Sequence, residues 1–166
     1  GAHFCGFVFH PKSPRYIAPE RAAALDSALI RRVGVFVNQD AEQIMDIMKT
    51  ARLEFAQLHG NQSLDCARRI GAGKVIRVLW PDSYDSLDAM QREMDLWADS
   101  CSWFLLDAGR QGGGHGTALD WKALASLQAP RPWFLAGGLS SASLNRALEQ
   151  CTPNGIDLNS GVEAIP

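Results

Sequence analysis

Leu135-Ala136-Gly137-Gly138-Leu139 and Asp157-Leu158-Asn159-Ser160-Gly161-Val162-Glu163, near the end of this 166-residue chain, decide how the rest of it reads. Each follows a short apolar run of strand character, over residues 132–135 and 155–158, and a helix-length segment, residues 141–150, lies between them. Two strand-end loops of Gly and Ser, one βα unit apart, can point several backbone N–H groups at the same spot. Glycine leaves the backbone open to close approach, and a following helix start adds positive potential, so an anion is the natural guest. In a barrel of βα units this is the phosphate site made by the loops after strands seven and eight. Taken singly, either loop reads equally well as an ordinary turn. As a pair they make Gly137, Gly138, Ser160 and Gly161 the expected phosphate cradle.

Upstream, strand and helix patterns alternate along the whole chain. Residues 4–9, 33–37, 55–58, 75–79 and 103–106 are short apolar runs that read as strands. Helices are expected from Pro19, with Glu20 in its first turn, and after Asp40, with Ile44, Ile47 and Met48 on one face. Further helices are expected over residues 63–70, stopped by Gly71 and Gly73, over 86–98, and over 121–127 behind an Asp120 cap. With the two segments quoted first, that makes seven strands and six intervening helices. The strands are continuously apolar, as parallel strands covered on both faces should be. A doubly wound open sheet alternates in the same way, but gathers its polar and glycine residues at one switch point. Here they follow strand ends all along the chain. The expected fold is α/β, a TIM (β/α)8 barrel.

Closure takes eight strands, and this chain supplies seven. The expectation is a single barrel domain over residues 1–166, truncated at both ends, that carries barrel strands 2 to 8 and lacks the first βα unit and the last helix. No composition shift, repeat or low-complexity linker divides it. A hydrophobic share of 46% and a charged share of 20% are ordinary for a soluble globular protein. The net charge of -2 leaves no footprint for nucleic acid. No apolar stretch approaches the roughly 20 residues of a spanning helix, and no signal peptide opens the chain, so no membrane role is expected. Cys5, Cys66, Cys101 and Cys151 are far apart, which fits reduced thiols in a cytoplasmic protein. The four scattered histidines give metal binding little support, and the glycine-rich residues 109–116 lack the GK(S/T) of a nucleotide-phosphate loop. Neither a metal nor a cofactor is expected. A mobile lid over a substrate suits that glycine-rich stretch better.

In order along the chain stand Gly6-Phe7-Val8-Phe9, Pro11-Lys12-Ser13-Pro14-Arg15-Tyr16, Val33-Gly34-Val35-Phe36 and Gln57-Leu58-His59-Gly60. Leu105-Leu106-Asp107, Gly113-Gly114-His115-Gly116 running to Asp120-Trp121, and the two segments quoted first complete the set. Together they resemble phosphoribosylanthranilate isomerase, a tryptophan-pathway enzyme that runs an Amadori rearrangement on a barrel. The chain departs from the family pattern in two places. His115, Thr117 and Leu119 replace the usual residues of the glycine-rich loop. The family's Lys-x-Cys-Gly strand, whose cysteine is the general base, has no counterpart. Cys5-Gly6 lies on the second barrel strand by register, so Cys5 is expected to be a buried apolar residue and the base to come from the absent first strand.

The resemblance implies a small phosphorylated substrate and an enzyme that is a monomer or homodimer. Ring opening of a ribose needs an acid, and the shift that follows needs a base to remove the C2′ proton. Asp107, where an apolar strand meets the lid loop, is the expected acid; to arrive protonated it would need a raised pKa. Arg15, in a Pro-stiffened loop, could grip the anthranilate carboxylate with two parallel hydrogen bonds. Its bland alternative is a solvated surface Arg. His59 could line the pocket, although a strand-end His is often only structural. Asp157 could meet ribose hydroxyls or orient its neighbours. Two rivals remain: another phosphosugar barrel, of the histidine-pathway ribotide isomerase or indole-glycerol-phosphate synthase type, and a non-catalytic barrel remnant that binds a phosphorylated ligand.

Overall fold

The computed structural model describes residues 1–26, 29–107 and 121–162. Strands and helices alternate as β1 (Phe4–Val8), α1 (Pro19–Ala24), β2 (Arg31–Phe36), α2 (Ala41–Thr50), β3 (Phe55–Leu58), α3 (Leu64–Ile70) and β4 (Val75–Leu79). They continue as α4 (Leu87–Trp97), β5 (Trp103–Asp107), α5 (Trp121–Leu124), β6 (Trp133–Ala136), α6 (Leu144–Gln150) and β7 (Gly155–Ile156). The chain forms two compact units: Gly1–Arg77 with Asp99–Ser102, and Val78–Ala98 with Trp103–Pro166. In the first, β1, β2, β3 and the start of β4 pair in chain order, every pair parallel. In the second, β5, β6 and β7 do the same. Neither unit reverses its strand order, so neither has the switch point of a doubly wound sheet.

The helices begin where side-chain oxygens relieve the unpaired N–H groups of a first turn. Asp40 and Gln43 cap α2 reciprocally: Gln43 N–H donates to Asp40 Oδ1 at 2.9 Å, and Asp40 N–H donates to Gln43 Oε1 at 3.1 Å. Ser63 and Ser86 accept from Cys66 and Ala89 at the starts of α3 and α4. Gly71, at φ 102°, ends α3. Behind its cap, α2 buries Ala41, Ile44 and Met48. An Asp40→Ala variant should lose about 1 kcal/mol of stability. A thermal melt would register that as a drop of roughly 2–4 °C for a chain of this size.

Some boundaries fall inside the expected ones. β7 is only two residues long. The expected start of α6 is instead a serine turn, in which Ser143 Oγ accepts from Ser140 N–H at 3.0 Å and Ser140 carbonyl accepts from Ser143 N–H at 3.1 Å. Hydroxyls that offer the backbone such local bonds compete with a helical turn. α5 stops at Leu124 and gives way to i→i+3 bonding, with Leu127 N–H on Leu124 carbonyl at 3.2 Å. Cys5, expected to be buried, is only half-buried and Gly6 is exposed, because β1 has a ladder partner on one side, β2.

A buried cation at the start of β2 escaped the sequence reading. Arg32, 8% exposed at the start of β2, lies against the Phe7 ring with its guanidinium carbon 4.6 Å from the centroid. Its guanidinium donates to the carbonyls of Ala22, of Leu25 at 3.1 Å and of Ala51 at 3.0 and 3.2 Å. It thereby closes the C-terminal ends of α1 and α2 with one charge, where helix ends favour a cation. That clasp belongs to the N-terminal end of the strands, which in such folds supports stability.

Candidate active site

In the first unit the loop after β1 folds back on its own strand. Ser13 N–H donates to His10 carbonyl at 2.9 Å, Tyr16 N–H to Ser13 carbonyl at 3.1 Å, and Ile17 N–H to Val8 carbonyl at 3.1 Å. Arg15 N–H donates to Ser13 Oγ at 3.1 Å, which fixes its backbone while the residue itself stays exposed. His59 directly follows β3 beside a corner that only glycine fits. Its N–H donates to Phe36 carbonyl at 2.8 Å, and a Cβ on Gly60 would stand 1.9 Å from Val37 carbonyl oxygen. Gly60 N–H reaches Gln62 Oε1 and Gly60 carbonyl accepts from Arg77 Nη1, both at 3.0 Å. Gln57, 9% exposed, lies with Nε2 3.4 Å from His59 Nδ1. The sequence reading assigned Gln57 and Arg77 nothing. Their signal is a polar side chain inside an apolar strand, Phe-Ala-Gln-Leu and Val-Ile-Arg-Val-Leu, since buried polar groups are retained with partners.

In the second unit β6 separates the two candidate carboxylates. Asp107 ends β5 opposite Ala136. Ile156 of β7 is opposite Leu135, and Asp157 follows it, with its N–H on Leu135 carbonyl at 2.8 Å. Asp107 and Asp157 therefore flank Ala136 at one level, two strand spacings or roughly 10 Å apart, and leave the sheet on one face. The outer side of Asp157 is exposed, yet protein mass around its carboxyl and then the Asp107 charge raise its pKa.

That shift gives stability a pH dependence. Folded Asp157 holds its proton more tightly than the unfolded chain does, which favours the fold in acid. The advantage fades as pH climbs from the ordinary Asp range, about 4, through the raised value. Asp157→Asn should thus gain Tm relative to the parent between pH 4 and neutrality, modestly because solvent reaches the residue. A constant Tm difference across that interval would refute the shift.

Just beyond, the two glycine loops meet. Gly137 and Gly138 turn at φ 91° and 64°, values a side chain resists. Gly161, in a single turn over Ser160–Val162, packs so closely that an added Cβ would lie 1.9 Å from Leu139 carbonyl oxygen. Around Gly138 a Cβ would find no heavy atom within 4 Å, so this side of the loop is open. Ser160 and Gly161 are exposed beside it. The residues of the glycine-rich stretch 109–116, with His115, Thr117, Leu119, Asp120 and Glu163, lie outside the described residues.

None of the four cysteines forms a disulfide. Cys66 and Cys151 are buried, and burial raises both thiols. No group of three or more His, Cys, Asp or Glu could hold a metal ion among the described residues, and no helix there is long and apolar enough to cross a membrane.

Residues 1–165 match the family described as N-(5′-phosphoribosyl)anthranilate (PRA) isomerase. The isomerase of that name from Desulfovibrio desulfuricans is 54% identical over the whole chain, which spans 79% of that relative. The Maridesulfovibrio salexigens isomerase is 44% identical, again over the whole chain and 81% of its own length. Among solved structures, phosphoribosylanthranilate isomerase from Thermotoga maritima superposes with a TM-score of 0.84 at 33% identity, covering the whole chain and 81% of that one. A structure of a phosphoribosylanthranilate isomerase in complex with reduced 1-(o-carboxyphenylamino)-1-deoxyribulose 5-phosphate gives a TM-score of 0.80 at 32% identity, over the whole chain and 80% of that one. The T. maritima enzyme is also described as dimeric. The fold is accordingly that of a (β/α)8 barrel, with seven of its strands among the described residues. This chain belongs to the N-(5′-phosphoribosyl)anthranilate isomerase family, the isomerases of tryptophan biosynthesis.

Proposed function

We propose that the chain converts N-(5-phosphoribosyl)anthranilate to 1-(2-carboxyphenylamino)-1-deoxyribulose 5-phosphate by an Amadori rearrangement, with Asp107 as general acid. The observation that carries this reading is the second unit's array of Asp107 and Asp157 at one level, beside two glycine loops in contact. In the reaction, the acid protonates the ribose ring oxygen and the ring opens to an iminium form. A base then takes the C2′ proton, and the resulting enol becomes the ketone. Backbone N–H groups near Gly137, Gly138, Ser160 and Gly161 receive the phosphate, as such loops do. Asp157 contacts the ribose hydroxyls, Arg15 pairs with the anthranilate carboxylate, and His59 lines the pocket. The protein acts in the cytoplasm, as a monomer or homodimer, without a cofactor or metal.

The test is turnover by the full-length protein, followed as the loss of phosphoribosylanthranilate fluorescence. A substrate deuterated at C2′ should slow the proton-transfer step. A folded protein that consumes none of the substrate would overturn the reading; turnover with no isotope effect, even under single-turnover conditions, would remove the C2′ transfer from it.

A further inference from the structure

His59 lies against a buried side-chain amide that can select which of its ring nitrogens carries the proton. β3 is buried along its whole length, and Gln57 is the polar side chain within it. Gln57 and His59 are two residues apart on an extended chain, so their side chains leave it on the same face. The Gln57 amide nitrogen faces His59 Nδ1 at 3.4 Å. With its NH2 turned to the ring, the Gln57 amide donates, and the tautomer that pairs with it is the one whose Nδ1 accepts and carries no proton. The neutral ring then has its hydrogen on Nε2. The corner beyond fixes the backbone that carries the ring: His59 N–H is tied to Phe36, and Gly60 is tied through both backbone groups to Gln62 and Arg77.

We infer that Gln57 is a positioning residue that holds His59 as a neutral imidazole with its proton on Nε2, so that His59 meets the substrate as a hydrogen-bond donor to an oxygen. This rests on the reading of His59 as a substrate contact. It separates His59 from the acid–base work: a ring whose Nδ1 is already engaged and whose Nε2 is protonated has no lone pair to take the C2′ proton. As a donor it suits the oxygens in which a phosphorylated, hydroxylated and carboxylated substrate is rich.

The assignment is testable without turnover, by nitrogen NMR of the full-length protein labelled at histidine, with the His59 signals identified by their loss in His59→Gln. The parent should show an unprotonated Nδ1 and a protonated Nε2. Gln57→Glu reverses the bond, because a carboxylate only accepts. In that variant the proton should appear on Nδ1, and kcat/KM should fall by about tenfold, the scale of one hydrogen bond. Gln57→Leu, which keeps the strand apolar, should show a mixture of the two tautomers and a smaller loss, and serves if the Glu variant does not fold. A protonated Nδ1 in the parent overturns the inference, and so does an unchanged tautomer in both variants. A parent with the expected tautomer but no turnover would instead overturn the proposed reaction.

Discussion

Replacing Asp107 with Asn in the full-length protein is expected to lower kcat by about 100-fold or more, the usual scale for a general acid. The side chain keeps its shape, and the pairing of residue 107 with Ala136 is made by the backbone, so folding and substrate affinity should stay near the parent's. What disappears is the transferable proton. The change should also reach across β6, since the Asp107 charge helps to raise the Asp157 pKa. With that charge gone, Asp157 should titrate at a lower pH, a shift that carboxylate NMR can follow. Cys5→Ser makes the comparison. Cys5 is half-buried on β1 and has no assigned part in the reaction, so turnover should remain nearly intact. An inactive Cys5 variant beside a fully active Asp107 variant would reverse the assignment and make Cys5-Gly6 the catalytic motif.

Where local rules and packing agree, the sequence reading located elements to the residue. β3 and β4 are continuous apolar runs between breakers, His59-Gly60 after one and Trp80-Pro81 after the other, and their bounds are those expected. The Asp40 cap was legible for the same reason, a side-chain oxygen just ahead of an amphipathic run, whereas Ser63 and Ser86, expected as first helical residues, are the caps one residue before α3 and α4. The clasp of Arg32 was not legible, because its acceptors are backbone carbonyls of Ala22, Leu25 and Ala51, distant in sequence and invisible in composition. Gln57 and Arg77 gave a signal that went unused, a polar group in a buried strand. Residues 160–162 carried two meanings at once: their Gly and Ser proposed an anion site, while only the coordinates place Gly161 against Leu139. Composition speaks to what a loop could bind, and close backbone contact depends on how two distant loops are folded.

That contact separates two glycines which look alike in sequence. Gly161→Ala cannot keep the present loop geometry, because its Cβ would fall 1.9 Å from Leu139 carbonyl oxygen, a backbone atom, and 3.2 Å from Ser140 Cα. The two loops must move apart, so stability and substrate binding should fall together. Gly138→Leu meets a different constraint. At φ 64° a side chain costs about 1–2 kcal/mol, but nothing stands within 4 Å of its Cβ. Its Tm should therefore drop by only a few degrees. Its side chain, however, would occupy the open side of the loop where the proposed phosphate meets the backbone N–H groups. Losing even one charge-assisted hydrogen bond of about 1.5–3 kcal/mol should raise KM at least tenfold. Inorganic phosphate, tested as a competitive inhibitor, isolates that effect from the rest of the substrate. Its inhibition constant should rise in parallel with KM in Gly138→Leu, out of proportion to the small change in Tm. If phosphate inhibits Gly138→Leu as well as it does the parent, the loops hold the fold together and the phosphate binds elsewhere.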